Sequence, residues 1–187
     1  MDPRTDAQLI RRSLDEPGLF EVIFDRHYDL VRMYAQRRVG MDDGQEIASS
    51  TFEQAFTQRM RFDADRSGSA RPWLVGIANN LIRRHLRHED VRRRHWPLSI
   101  AMDRSTTGPE PDLDGMAAHQ RMPAIRSALS ALSEDDRETF LLVVLAELSY
   151  EDVGRIVGVP IGTVRSRISR VRRRLRELTE AAEAINP

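Results

Sequence analysis

Two stretches of the chain carry side chains whose types and spacing suit nucleic-acid chemistry. In PWLVGIANNLIRRHLR, Asn80 is followed by Arg83, Arg84 and Arg87 at the spacing of one helical face. Gly76 and Asn79 are expected on the same face, opposite Leu74 and Leu81. An asparagine amide hydrogen-bonds base edges, and arginines beside it hold the backbone of a separated strand. In VPIGTVRSRISRVRRRL, Gly162, Ser166, Ser169, Arg170 and Arg173 face outward, with Arg165 and Arg167 on the flanks. Gly162, Ser166 and Ser169 let a helix approach a major groove, and arginines offer bidentate contacts to guanine or phosphate. The plain alternative for each stretch is an amphipathic helix with a solvated charged face.

Other chemistries find little support. There is no cysteine, which excludes disulfides, thiolate nucleophiles and cysteine-based zinc sites. His85 and His88 lie one turn apart near Glu89, a spacing that could hold a metal. His85 belongs to the inward stripe of its helix, however, so a packed core histidine is the better reading and no metal or cofactor is expected. No glycine-rich phosphate loop and no Ser/His/Asp constellation appears, so the chain is not expected to be an enzyme. Trp73 and Trp96 read as packing residues rather than stacking platforms. No apolar run approaches the roughly 20 residues of a membrane span, so a soluble cytoplasmic protein is expected.

The formal net charge is zero, but its distribution is uneven. All 29 basic residues are arginine, and many fall into two clusters, Arg83 to Arg94 and Arg165 to Arg176. Segregated basic blocks give a neutral chain a strong local positive field.

The elements that must position these side chains read as helices nearly throughout. Phe20, Ile23, Phe24, His27, Val31, Tyr34 and Ala35 mark one helix face. Asp42 and Asp43 open a second helix that buries Ala48, Phe52, Ala55 and Phe56. Pro72 suits the first turn of a third, with Leu74, Ile77, Ala78, Leu81, Ile82 and His85 inward. Ser133 with Asp136, and Ser149 with Asp152, signal two later helix starts. The helix from Ser149 buries Val153, Ile156 and Val157. Gly158 then supplies a left-handed turn, and the last helix runs from about Pro160 to at least Leu178. That helix buries Val164, Ile168, Val171, Leu175 and Leu178. The expected fold is all-α: a helical domain over 1–96, a flexible acidic linker over 97–117, and a helix-turn-helix domain over 118–187. Asp103, Glu110, Asp112 and Asp114 supply the linker's charge.

In this order the segments resemble the sigma-70 family of bacterial RNA polymerase sigma factors, specifically its extracytoplasmic-function subgroup. FEVIFDRHYDLVRMYAQRRV is similar to the first helix of region two, and DDGQEIASSTFEQAF to the helix that binds the polymerase clamp helices. PWLVGIANNLIRRHLR resembles the segment that melts and reads the minus-ten element. LSEDDRETFLLVVLAELSYEDVGRIVGVPIGTVRSRISRVRRRL resembles region four, which reads the minus-thirty-five element.

The resemblance implies RNA polymerase core (clamp helices and flap), promoter DNA and an anti-sigma factor as partners. It places Asn80 at a captured minus-ten base, with Arg83, Arg84 and Arg87 along the same strand. It places Thr163, Arg165, Ser166, Arg167, Ser169 and Arg170 against upstream duplex, and Asp43, Glu46, Ser49, Ser50 and Glu53 against polymerase. The family usually has Gln-Glu where this chain has Ser49-Ser50, a loss of one carboxylate expected to weaken a charge-assisted contact. The competing reading is a stand-alone helix-turn-helix regulator that binds duplex DNA without polymerase.

Overall fold

The computed structural model describes residues 2–64, 68–95 and 132–185. The expected linker 97–117, Trp96, the helix start near Ala118, and the side chains of Arg92, Arg93, Arg94 and Leu178 lie outside the described residues. Seven α-helices and no strand occur among the described residues. The chain divides into two compact units, Met1–Thr106 and Thr107–Pro187.

The first unit contains α1 (Asp6–Arg12), α2 (Phe20–Val39), α3 (Met41–Gln58) and α4 (Arg71–His95). Helix α1 lies in a stretch whose polarity gave no expectation of structure. It begins at a capping box: Thr5 Oγ1 accepts from the Gln8 N–H (3.3 Å), and Gln8 Oε1 accepts from the Thr5 N–H (2.9 Å). Its Leu9 and Ile10 are fully buried, each contributing about 1.5–3 kcal/mol of apolar burial.

The periodicity of α2 holds with one exception. Phe20, Ile23, His27, Val31, Tyr34 and Ala35 are buried, but Phe24 is 39% exposed. Its ring stacks on Tyr28 at 4.5 Å and meets Phe52 edge-on at 4.9 Å, running along the surface seam between α2 and α3. Phe56, expected inside, is likewise 38% exposed, covered by the Arg59 guanidinium 4.0 Å from its ring centroid.

Helix α4 buries Leu74, Val75, Ile77, Ala78 and Ile82 against α2 and α3. Asn79 corrects the expected outer face: it is fully buried, and Tyr34 of α2 donates to its Oδ1 at 2.9 Å. Leu81 and His85 are half-buried rather than core. Trp73 packs on Phe62, ring centroids 5.1 Å apart.

Asp6 joins three elements. Its Oδ2 accepts from His27 Nε2 of α2 (2.7 Å) and from the Ala70 N–H immediately before α4 (2.8 Å). Its Oδ1 accepts from Arg26 at 2.9 Å. Burial opposes ionisation of this carboxyl, but the His27, Ala70 and Arg26 hydrogen bonds outweigh burial and hold it well below the usual carboxylate range.

The second unit contains α5 (Glu134–Val144), α6 (Tyr150–Val157) and α7 (Ile161–Ile185). Ser133 and Ser149 cap α5 and α6 as their spacing predicts, accepting from the N–H groups of Asp136 and Asp152. Leu142, Ala146, Leu148, Val153, Val164, Ile168 and Val171 form a small core. Ile156, Val157 and Leu175 only border it, half-buried.

Candidate nucleic-acid interface

In the second unit the turn between α6 and α7 fixes the site. Gly158 adopts φ 73°, ψ 34°, a left-handed conformation that an L side chain adopts only at a cost. The chain reverses there, and Val159 N–H returns a 2.9 Å bond to the Gly154 carbonyl. Helix α7 then leaves with Val164, Ile168 and Val171 inward, which turns Gly162, Arg165, Ser166, Ser169, Arg170 and Arg173 to the outside. Thr163 is half-buried at the margin of this face. Ser166 Oγ donates to the Thr163 carbonyl (2.9 Å), so its hydroxyl lies against the helix and keeps the surface flat.

Arg167 on the flank and Arg170 on the outward face have acidic partners on α5. The Arg167 side chain is only 15% exposed and points to α5, where it bonds the Asp135 carboxylate (2.6 Å) and the Thr139 hydroxyl (3.2 Å). Arg170 Nη1 donates to both carboxylate oxygens of buried Asp136, at 2.8 and 2.7 Å. Neither partner is visible in the α7 sequence itself; both come from the acidic first turn of α5.

In the first unit, α4 presents Asn80, Arg83, Arg84 and Arg87 on its exposed face, as their spacing requires. Buried Asn79 orients that face from within, because its bond to Tyr34 fixes the rotation of α4 against α2.

On α3, Glu46, Ser49 and Glu53 are exposed and Ser50 is half-buried, and their spacing puts them on one face. Asp43 is set apart from them: it is half-buried, with its Oδ2 3.4 Å from His85 Nε2 of α4. The His85, His88 and Glu89 arrangement does not converge, and no cluster of three metal-ligating groups occurs among the described residues.

Both units match family models. Residues 23–92 match sigma-70 region 2, and residues 122–175 match sigma-70, region 4. The chain is 34% identical over 132 residues to a probable RNA polymerase sigma-C factor of Mycobacterium bovis, covering 68% of this chain and 65% of that protein. It is 35% identical over 128 residues to the ECF RNA polymerase sigma factor EcfG of Rhodopseudomonas palustris, covering 67% of each. The chain thus spans about two thirds of the length of these two relatives. Among solved structures, the sigma factor RpoE of Bartonella quintana, crystallised with the anti-sigma factor NepR, superposes with a TM-score of 0.63. That pair is 26% identical, with 86% of this chain and 96% of the other covered. The chain therefore belongs to the sigma-70 family, in its extracytoplasmic-function subgroup.

Proposed function

We propose that the chain binds RNA polymerase core and directs it to specific promoters. One observation carries this reading: a single chain pairs two different DNA-suited faces. The face of α7 suits the major groove of duplex. The face of α4, with one asparagine among three arginines, suits an unpaired strand. A regulator that only reads duplex has no use for the second, which sets the stand-alone helix-turn-helix reading aside.

In the proposed mechanism, Glu46, Ser49, Ser50 and Glu53 of α3 dock on the polymerase clamp helices, with Asp43 at the edge of the contact. The second unit contacts the flap. Thr163, Arg165, Ser166, Ser169 and Arg170 enter the upstream major groove, and Arg167 acts by tying α7 to α5. Asn80 then captures an unstacked minus-ten base while Arg83, Arg84 and Arg87 hold the strand. Extruding a base costs a few kcal/mol, which capture and phosphate contacts offset. RNA synthesis belongs to the polymerase, so this chain supplies no catalytic group and works in the cytoplasm. An anti-sigma factor over the polymerase-binding face is the further partner proposed; the Bartonella relative was crystallised with an anti-sigma factor.

The test is a footprint on genomic promoter fragments with the chain alone, with core alone and with both. Protection that spans an upstream and a downstream element only when both are present supports the proposal. Full protection by the chain alone supports the regulator instead.

A further inference from the structure

We infer that Asp136 is a positioning residue that makes Arg170 the reader of one base pair in the upstream element, rather than a general phosphate contact. The inference rests on the duplex-binding role proposed for α7 and goes on to assign how sequence is read there.

Asp136 lies in the first turn of α5, where its backbone N–H bonds the Ser133 cap at 3.2 Å. Its side chain is only 6% exposed, so the carboxylate has a fixed place on a capped helix. Arg170 is 34 residues away and its side chain is 55% exposed, yet both carboxylate oxygens accept from its Nη1. A side chain that far into solvent ordinarily samples many rotamers; this one is tethered at one nitrogen.

The choice of nitrogen matters. With Nη1 committed to Asp136, Nε and Nη2 form the side-on fork of the guanidinium. A side-on fork matches the O6 and N7 acceptors of guanine in the major groove. Prior ordering means less freedom is lost on binding, which favours the one geometry that the tether permits.

Charge acts in the same direction. The carboxylate offsets the positive charge of Arg170, so its attraction to phosphate, which carries no sequence information, is reduced. Arg165 and Arg172 on the same helix form no ion pair among the described residues. No carboxylate offsets their attraction to phosphate there. One helix thus carries arginines of two kinds.

The experiment uses holoenzyme reconstituted from the full chain and bacterial core polymerase. Binding is selected from promoter fragments whose upstream element is randomised, for wild type, Arg170→Ala, Asp136→Asn and the double variant. Wild type should select a G·C pair at one position, and Arg170→Ala should erase that preference alone. Asp136→Asn should lower discrimination at the same position by about tenfold, leave the other positions intact, and make binding more salt-sensitive. The double variant should show no further loss beyond Arg170→Ala.

Retention of the full preference in Asp136→Asn overturns the inference. So does an equal weakening at every position, which is the mark of a merely structural pair. If wild-type holoenzyme selects no upstream sequence at all, the duplex-binding role itself fails, and the inference falls with it.

Discussion

The hydroxyl of Tyr34 donates a 2.9 Å hydrogen bond to Oδ1 of Asn79, joining α2 to α4 inside a core where both residues are fully buried. This bond decides which of two adjacent asparagines is exposed, because holding Asn79 inward turns Asn80 outward. Tyr34→Phe removes this donor from the buried amide oxygen. The cost expected from losing one such hydrogen bond is about 0.5–1.5 kcal/mol. Urea unfolding of the variant should show that loss, and promoter melting by the holoenzyme should weaken with it.

Asp6 should make the first unit sensitive to acid in a predictable direction. Its folded carboxyl ionises more readily than an ordinary aspartate, so the unfolded chain binds the proton more tightly. The stabilisation is complete above the ordinary aspartate value near 3.9 and is lost progressively as pH falls below it. Asp6→Ala leaves His27, Arg26 and the Ala70 N–H without their shared acceptor, and should cost about 3 kcal/mol near neutral pH. The stability gap between wild type and variant should then narrow below about pH 4, as measured by urea unfolding. A gap that stays constant down to pH 2 would show that Asp6 is not held ionised by these bonds.

Gly44 of α3 lies against Gln36 of α2. A Cβ built there lies 2.4 Å from the Gln36 Cα, a backbone atom that no rotamer change can move aside. Alanine is the better helix former by about 1 kcal/mol, yet Gly44→Ala should destabilise the unit, because over-packing costs about 1–3 kcal/mol and here the helices themselves must part. Thermal unfolding gives the sign.

At Gly158 the constraint is conformational rather than steric, since nothing lies within 4 Å of an added Cβ. Gly158→Ala should cost about 1 kcal/mol through its left-handed backbone. Because that turn sets the angle of α7, DNA affinity should fall further than stability does.

Much of this architecture was legible in the sequence because periodicity and caps are local. The α2 stripe, the Pro72 start of α4, the Ser133 and Ser149 caps and the Gly158 turn each depend on residues within a few positions. Helix α1 was missed although Thr5 and Gln8 have capping-box spacing, because only Leu9 and Ile10 mark its buried face. Asn79 was misplaced because its partner is 45 residues distant, and a polar residue without a visible partner reads as outward. The tethers of Arg167 and Arg170 to α5 were invisible for the same reason, spanning 32 and 34 residues. Phe24 and Phe56 counted as core from spacing, but aromatic rings at the edge of a two-helix seam cover one another and stay partly in water.

The proposed role is to confer promoter specificity on RNA polymerase through two DNA-facing helices. Run-off transcription on genomic promoter fragments tests it most directly, using purified bacterial core with and without the chain, and with Asn80→Ala and Arg165→Ala. Discrete start sites should appear only with the chain, reduced at least tenfold in both variants if each contact contributes about 1.4 kcal/mol or more. Core that stays unspecific with the chain present, while the chain alone binds duplex DNA tightly, would contradict it.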